Sequence, residues 1–316
     1  MDGKLSLPKK QRRGGLRLGK WYEPYVLLTP MLIMMGVLFL YPIILSVCMA
    51  FQNYHLDKMY DIYFYPLKDI FKNFITLFSR DRYISRVVVT SLTLTPILVA
   101  ASTVIGLGAA LALNKKIPLR GFFQTIIFLP SAVSGFLASI VFRWLGNSEY
   151  GAINDLLINV FKLTDEKILF LARPTPAIIL VVLTTVWIAT PGYAMTLLAA
   201  MQSIPKDIEE AAEIDGCNAV KRIWYITLPF IKPTFIMMFL LKFIWSFNYM
   251  DIVSSVTGGG PAFRTTTMPM YMYSLGFTTW DFGRAAALGL IVLAALGLIV
   301  SVYMKLTKYE KESESV

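Results

Sequence analysis

The polar side chains capable of chemistry in this sequence are few, and the most informative lie inside apolar runs. From 239 to 253 the chain reads FLLKFIWSFNYMDIV. On a helix turning 100° per residue, Lys242, Trp245, Ser246 and Tyr249 fall on one face, and Asp251 points nearly opposite Lys242. Lys, Ser and the neighbouring Asn248 supply hydrogen bonds for a hydroxyl-rich ligand, and the aromatic rings supply surfaces on which its apolar faces can stack. The same residues also suit packing between helices, with Lys242 paired to a carboxylate of another chain and Trp245 facing lipid. A second group, Thr184, Thr185, Trp187, Thr190 and Tyr193, surrounds Pro191-Gly192. Threonines of apolar helices commonly bond back to their own helix, whereas Trp187 and Tyr193 adjoin the point where proline is expected to open the backbone. A third segment, 257–267, contains Gly258, Gly259, Gly260, Pro261, Arg264 and three consecutive threonines. It reads equally as a contact or gating loop and as a plain mobile one.

Other chemistries are poorly served. The run Gly14 to Lys20, GGLRLGK, has the outline of a phosphate-binding loop, but Trp21 follows where Ser or Thr is required and no strand precedes it. A nucleotide, if used, is bound by another chain. One histidine, His55, and no clustered carboxylates in the apolar runs leave no catalytic set and no metal site, and no cofactor is expected. Cys48 and Cys217 lie in unlike surroundings, so they are not expected to pair.

The elements that must position these residues follow from composition. The 316 residues are 56% hydrophobic and 16% charged, with mean hydropathy +0.60. Soluble domains carry roughly 25% charged residues, so the chain reads as a polytopic membrane protein. That also excludes nucleic-acid binding as the meaning of its +10 net charge. A spanning helix needs about 20 mostly apolar residues. Six stretches qualify: 26–51, 87–113, 121–145, 175–201, 230–256 and 283–304. The first is much longer than the core of a signal peptide. The third contains Pro130 and Gly135, breakers that spanning helices tolerate.

Lys and Arg concentrate before the first span (Lys4 to Lys20), between the second and third (Lys115, Lys116, Arg120) and after the sixth (Lys305, Lys308, Lys311). The positive-inside rule places all three, and both termini, in the cytoplasm. The N-terminal arm is expected to rest on anionic lipid. The domain plan is a basic arm 1–25, a six-helix unit 26–304 and a tail 305–316. The outer segment 52–86 is also basic, and its Phe71, Phe74, Leu77 and Phe78 spacing suggests an amphipathic interfacial helix.

The cytoplasmic segment 203–229 reads SIPKDIEEAAEIDGCNAVKRIWYITLP. Ser203 and Pro205 form a helix start, with Asp207, Glu209 and Glu210 favourable in its first turn. Gly216 suits a left-handed terminator. Asn218 can cap a second helix carrying Ile223, Trp224 and Ile226, and Pro229 marks the return to the membrane. Such a hairpin either docks a partner or rests on lipid.

Glu210-Ala211-Ala212-Glu213-Ile214-Asp215-Gly216, followed in register by Ile226-Thr227-Leu228-Pro229, resembles the EAA loop of ABC importer permeases. Cys217 and Ile223 are mild departures, standing where Ala and often Phe are usual. Arg120-Gly121-Phe122-Phe123, Phe128-Leu129-Pro130, 197–205 (LLAAMQSIP), 257–261 (TGGGP) and Asp281-Phe282-Gly283 are similar to the carbohydrate branch, of the larger maltose or glycerol-3-phosphate permease type. Thr90-Ser91 departs from the Asn-Thr frequent there. The resemblance implies an all-α type I importer permease fold in the cell membrane, with a coupling helix. Glu210, Ala211, Ala212, Asp215, Gly216, Leu228 and Pro229 would serve an ATPase. It further implies a second homologous permease, two ATPase subunits, an extracytoplasmic substrate-binding protein, and a sugar or oligosaccharide moved by alternating access. Alternatives are a glycerol-3-phosphate or polyol importer, for which Lys242 or Arg264 could neutralise a phosphate, and a non-transporting membrane scaffold or sensor.

Overall fold

A computed structural model describes residues 23–115 and 117–307. The Gly14–Lys20 loop, most of the basic arm, Lys116, Lys308 and Lys311 lie outside them. The chain divides into two units, one ending at Cys48 and one beginning at Met49. The first holds α1 (Glu23–Met35), a π-helical turn (Gly36–Leu40) and most of α2 (Tyr41–Ala50), which together make one apolar helix. Its side chains from Tyr25 to Leu45 are largely exposed, as lipid-facing residues must be.

The second unit is nearly all helical. A two-stranded hairpin pairs Gln52–Asn53 with Tyr63–Phe64. Next come α3 (Lys72–Ser79), α4 (Ile84–Asn114), α5 (Arg120–Phe128), α6 (Gly135–Leu145), α7 (Ala152–Asp155) and α8 (Pro174–Gln202). Then follow α9 (Lys206–Ile214), α10 (Ala219–Arg222), α11 (Leu228–Phe247), α12 (Met250–Thr257), α13 (Met268–Phe277) and α14 (Phe282–Thr307).

Among the described residues, five helical runs are long and apolar enough to span a membrane: Tyr25–Ala50, Ile84–Asn114, Pro174–Gln202, Ala219–Phe247 and Phe282–Thr307. The third expected span differs from a simple rod. It is the pair Arg120–Ala132 and Gly135–Leu145, bent by 97°. Pro130 lies in a short 3₁₀ turn, and Ser134 restarts the helix by accepting the Leu137 N–H at 3.2 Å. Counted as one, the pair makes six spans. By contrast α8 runs unbroken through Pro191 and Gly192, where an opening was expected. Proline there removes only the bond to the carbonyl of Trp187, and packing along α4 keeps the helix continuous.

The α4–α8 pair is the central seam. Ser102, Thr103, Gly106 and Ala110 of α4 are buried at helical spacing against Tyr193, Ala194, Leu197 and Leu198 of α8. A Cβ on Gly106 would lie 2.3 Å from the Tyr193 Cβ. Close backbone approach through small residues is how helices associate where no hydrophobic gain is available. Above this seam, Leu94, Leu98, Leu180 and Val181 pack with Ile252, Val253 and Val256 of α12.

At the end holding α3, polar groups fasten the chain. Asn73 donates to the carbonyls of Ala50 and Gln52 at 2.9 and 2.8 Å. Asp81 accepts from Tyr271 Oη at 2.6 Å and from the Tyr83 N–H at 2.9 Å. Asp281 binds the Arg284 guanidinium and lies 3.4 Å from His55 Nε2. Burial, reinforced by the hydrogen bond to Asp81, pushes the Tyr271 phenol above its ordinary range, so it remains a donor. The expected amphipathic helix is present as α3, with Leu77 fully buried and Phe71, Ile75 and Phe78 exposed.

Replacing Gly106 with Val should lower the thermal stability of the detergent-solubilised chain, since overpacking a close seam costs about 1–3 kcal/mol. Gly108→Ala, with nothing within 4 Å of the added carbon, should leave the melting temperature unchanged. Equal melting of both variants would refute the seam assignment.

Candidate functional site

Two surfaces hold the residues singled out from the sequence, one beyond the membrane helices and one along α11. At the first, α9 starts after Pro205, and Ser203 instead closes α8 by donating to the Ala200 carbonyl at 2.8 Å. The expected Ser203 cap is therefore corrected, because the hydroxyl is used one element earlier. Glu210 and Ala211 are exposed, and Ala212 is buried.

The end of α9 is a Schellman closure. The Cys217 N–H donates to Ala212 O at 2.9 Å, the Gly216 N–H donates to Glu213 O at 3.1 Å, and Gly216 has φ +72°. A Cβ on Gly216 would meet nothing within 4 Å, so conformation alone explains the glycine. Asn218 then caps α10 by accepting the Lys221 N–H at 2.9 Å. Arg222 reaches back to Glu213 at 2.9 Å, an exposed pair contributing about 0–1 kcal/mol.

Pro229 does not mark a break. α10 continues through a π-helical turn (Ile223–Thr227) into α11, making one helix from Ala219 to Phe247. In that turn the Leu228 N–H reaches back to Ile223 O. The wider register accommodates a proline ring without ending the helix. Leu228 packs near Leu198 and Ile231, and Pro229 is exposed. The hairpin stands off the ends of α4 and α8 across a cavity of about 530 Å³, lined by Asn114, Lys115, Gln202, Lys206, Glu213 and Arg222.

An apolar side to the hairpin was expected from Ile223, Trp224 and Ile226; the part played by Ile214, Val220 and Tyr225 was not. Ile214 is 87% exposed, and Val220, Trp224 and Tyr225 are exposed with it. The available signal was Ile214 itself, an apolar residue two positions before the glycine terminator.

Along α11 the expected common face divides. Lys242 and Ser246 are buried, whereas Leu241, Trp245 and Asn248 form an exposed strip at i, i+4 and i+7. Trp245 lies about 100° from Ser246 around the helix, and the boundary of the buried sector runs between them. Lys242 Nζ donates to Tyr249 Oη at 3.0 Å and lies 4.6 Å from that ring's centre.

The helix also ends earlier than the apolar run suggests. Asn248 and Tyr249 leave helical geometry, with φ/ψ −91°/5° and −70°/67°, before α12 begins at Met250. Asn248 Nδ2 donates to Ile244 O at 2.9 Å, and Ser246 Oγ is buried without a hydrogen-bond partner. The Lys242–Tyr249 bond thus crosses the break between α11 and α12.

Trp187 is exposed on α8, with its ring 5.7 Å from Phe142. Tyr193 sits inside the α4–α8 seam and accepts a hydrogen bond from Thr103 at 3.2 Å, so it packs instead of lining a surface. Thr184 and Thr190 bond back to Leu180 and Val186.

The glycine-rich segment is a hydrogen-bonded turn. Gly258 and Gly259 have φ +63° and +79°, and Gly260-Pro261 is cis. Thr265 and Thr266 donate to the carbonyls of Gly260 and Gly259 at 2.8 and 2.9 Å. Ser91 accepts the Met268 N–H at 2.7 Å, and Thr90 donates to Arg264 O at 3.4 Å. The Thr90-Ser91 pair therefore anchors this turn to α4.

Comparison with known proteins agrees with this geometry. The chain is 28% identical to the sulfoquinovosyl glycerol transport system permease SmoG of Agrobacterium fabrum, over 93% of this chain and 92% of that one. It is 28% identical to the trehalose/maltose transport system permease MalF of Thermococcus litoralis, over 99% and 100% of the two chains. A chain of a bacterial alginate ABC transporter, crystallised with an alginate pentasaccharide-bound periplasmic protein, superimposes with TM-score 0.76 at 22% identity. That match covers 90% of this chain and 93% of the other and establishes a shared fold. Residues 102–308 match a family model that spans the α4–α8 seam, the hairpin and the α11 strip. The chain belongs to the family of binding-protein-dependent transport system inner membrane components, multi-pass permeases of the membrane.

Proposed function

We propose that this chain is one permease half of an ATP-driven importer for a sugar or oligosaccharide, with its α9–α10 hairpin docked on an ATPase subunit. The observation that carries the reading is the hairpin's construction. An exposed EAA segment, closed at Gly216, is joined without interruption to the helix that carries Trp245 and Asn248. From Ala219 to Phe247 that helix has 29 residues, about 43 Å at 1.5 Å per residue.

Displacement of the hairpin is therefore transmitted along α11 to the break at Asn248. Two ATPase subunits closing on ATP would pull the hairpins together and rock this chain against a second, homologous permease. Glu210, Asp215 and the exposed Ile214 face the ATPase in this scheme, with Ala211, Ala212 and Gly216 giving the compact shape that fits a cleft. Leu228 and Pro229 fix the hairpin to α11.

The exposed strip of Trp245 and Asn248, with Trp187, forms this chain's share of the pathway. Lys242, Ser246, Tyr249 and Tyr193 support it from behind. An indole face and a carboxamide suit a sugar, whose rings offer both C–H faces and hydroxyls. The names of the SmoG and MalF relatives support a carbohydrate substrate. The turn at Gly258–Pro261, held to α4, lies toward an extracytoplasmic substrate-binding protein, and both termini lie in the cytoplasm. This chain supplies no hydrolytic residues, so ATP turnover belongs to the partner subunits.

Three outcomes follow in the reconstituted complex. Gly216→Val, which forces a branched side chain into a left-handed conformation at about 1–2 kcal/mol, and Glu210→Ala should each reduce sugar uptake at least tenfold while the complex assembles and hydrolyses ATP. Uptake at the parent rate would remove the coupling role. Ile214→Cys, with Cys48 and Cys217 replaced by Ser, should react with an impermeant maleimide only from the cytoplasmic side; reaction from outside would invert the topology. Asn248→Ala and Trp245→Ala should change the ranking of competing sugars in uptake. A loss of assembly with unchanged ranking would make these packing residues.

A further inference from the structure

The amphipathic α3 is a surface that the transport reading leaves unused. One side is fixed to the protein: Leu77 is fully buried, Asn73 is 5% exposed, and Phe74 packs 5.6 Å from Phe51. The other side presents Phe71, Ile75 and Phe78, which are 58%, 63% and 59% exposed at i, i+4 and i+7. Phe74, Ile75, Phe78 and Ser79 border a shallow cleft of about 440 Å³. The same segment carries the exposed cations Lys68, Lys72, Arg80 and Arg82, with Lys72 Nζ 5.1 Å from the centre of the Tyr65 ring. Of the acids between 67 and 82, Asp69 is exposed, and Asp81 is committed to Tyr271 and the Tyr83 N–H.

The position of α3 identifies what covers it. Asn73 is hydrogen-bonded to the carbonyl of Ala50, the last residue of the first candidate span. Ile84, the first residue of the next span, follows Ser79 by five positions. The helix therefore adjoins, at Ala50 and Ile84, the ends of two candidate spans, where a chain leaving the hydrocarbon meets the headgroup region. A strip of large apolar side chains accompanied by Lys and Arg is the pattern that binds in the interface plane, with added attraction to anionic lipid.

We propose that α3 is a lipid-surface anchor, with Phe71, Ile75 and Phe78 inserted at the acyl boundary and Lys68, Lys72, Arg80 and Arg82 holding the phosphates of anionic headgroups. Its hydrogen bond to the end of the first span, and Leu77 packed in one cluster with Leu288 of α14, tie that anchorage to the membrane helices.

The test uses the assembled transporter in nanodiscs, with a nitroxide label on Ile75→Cys in a Cys48→Ser, Cys217→Ser background. The ratio of oxygen to nickel-chelate accessibility reports depth, and a label at the exposed loop residue Asp165 gives the water value. In bilayers containing phosphatidylglycerol the ratio at position 75 should exceed the water value at least tenfold. Combining Lys68→Gln, Lys72→Gln, Arg80→Gln and Arg82→Gln should lower it several-fold there, and far less in pure phosphatidylcholine. A ratio at the water value in both bilayers overturns the proposal. So does protection from both reagents that appears only when the binding protein is added, which would make α3 a protein-docking helix.

Discussion

The architecture depends on one close approach, that of α8 to α4 at Gly106. Membrane helices gain nothing from excluding water, so they associate through contact and satisfied polar groups. The missing side chain lets the base of the Tyr193 side chain occupy the space where any other residue's Cβ would sit, and Thr103 then satisfies the Tyr193 hydroxyl. Small residues repeat along α4 at 102, 103, 106 and 110, extending this contact through several turns. The bent α5–α6 pair, α11 and α12 are placed by packing on that seam, and the hairpin is placed by the end of α8 from which it departs.

Around the seam, exposed groups acquire meaning from what must cover them. Ile214, Trp245 and Asn248 all point away from the chain's own core. In the proposed reading, the pathway and the ATPase contact both lie on surfaces that other chains complete. A carboxamide on the outside of a membrane helix is costly against lipid, and in that reading it and the neighbouring indole face a sugar. Lys242 follows the same logic in reverse. Turned inward, it spends its ammonium on Tyr249 and fixes the break that sets the direction of Asn248.

Much of this was legible in the residues themselves. Gly216 and Asn218 announced the turn and the cap, because terminator and capping chemistry are local. The spans were visible because hydrocarbon thickness sets their length. What sequence could not supply were decisions made by packing. The span holding Pro130 bends by 97° at the extended Val133 and Ser134, and α8 continues unbroken through Pro191, although both prolines lie within apolar runs. The Pro229 helix continues because a π-helical turn precedes it. The burial of Tyr193 depended on a glycine 87 positions earlier in the chain, and the division between Trp245 and Ser246 depended on which helices flank α11. The α9–α10 hairpin and its apolar side were recognisable from the residue pattern, whereas the exposure of Ile214 emerged only in the folded chain.

The account stands most directly on reconstituted transport. This chain, a second permease and the ATPase subunits would be placed in proteoliposomes with the binding protein on one side and ATP on the other. A labelled sugar that the binding protein retains would be supplied on the binding-protein side. Accumulation should require ATP, the binding protein and this chain together. Accumulation that persists without ATP, or in vesicles from which this chain is omitted, would contradict it.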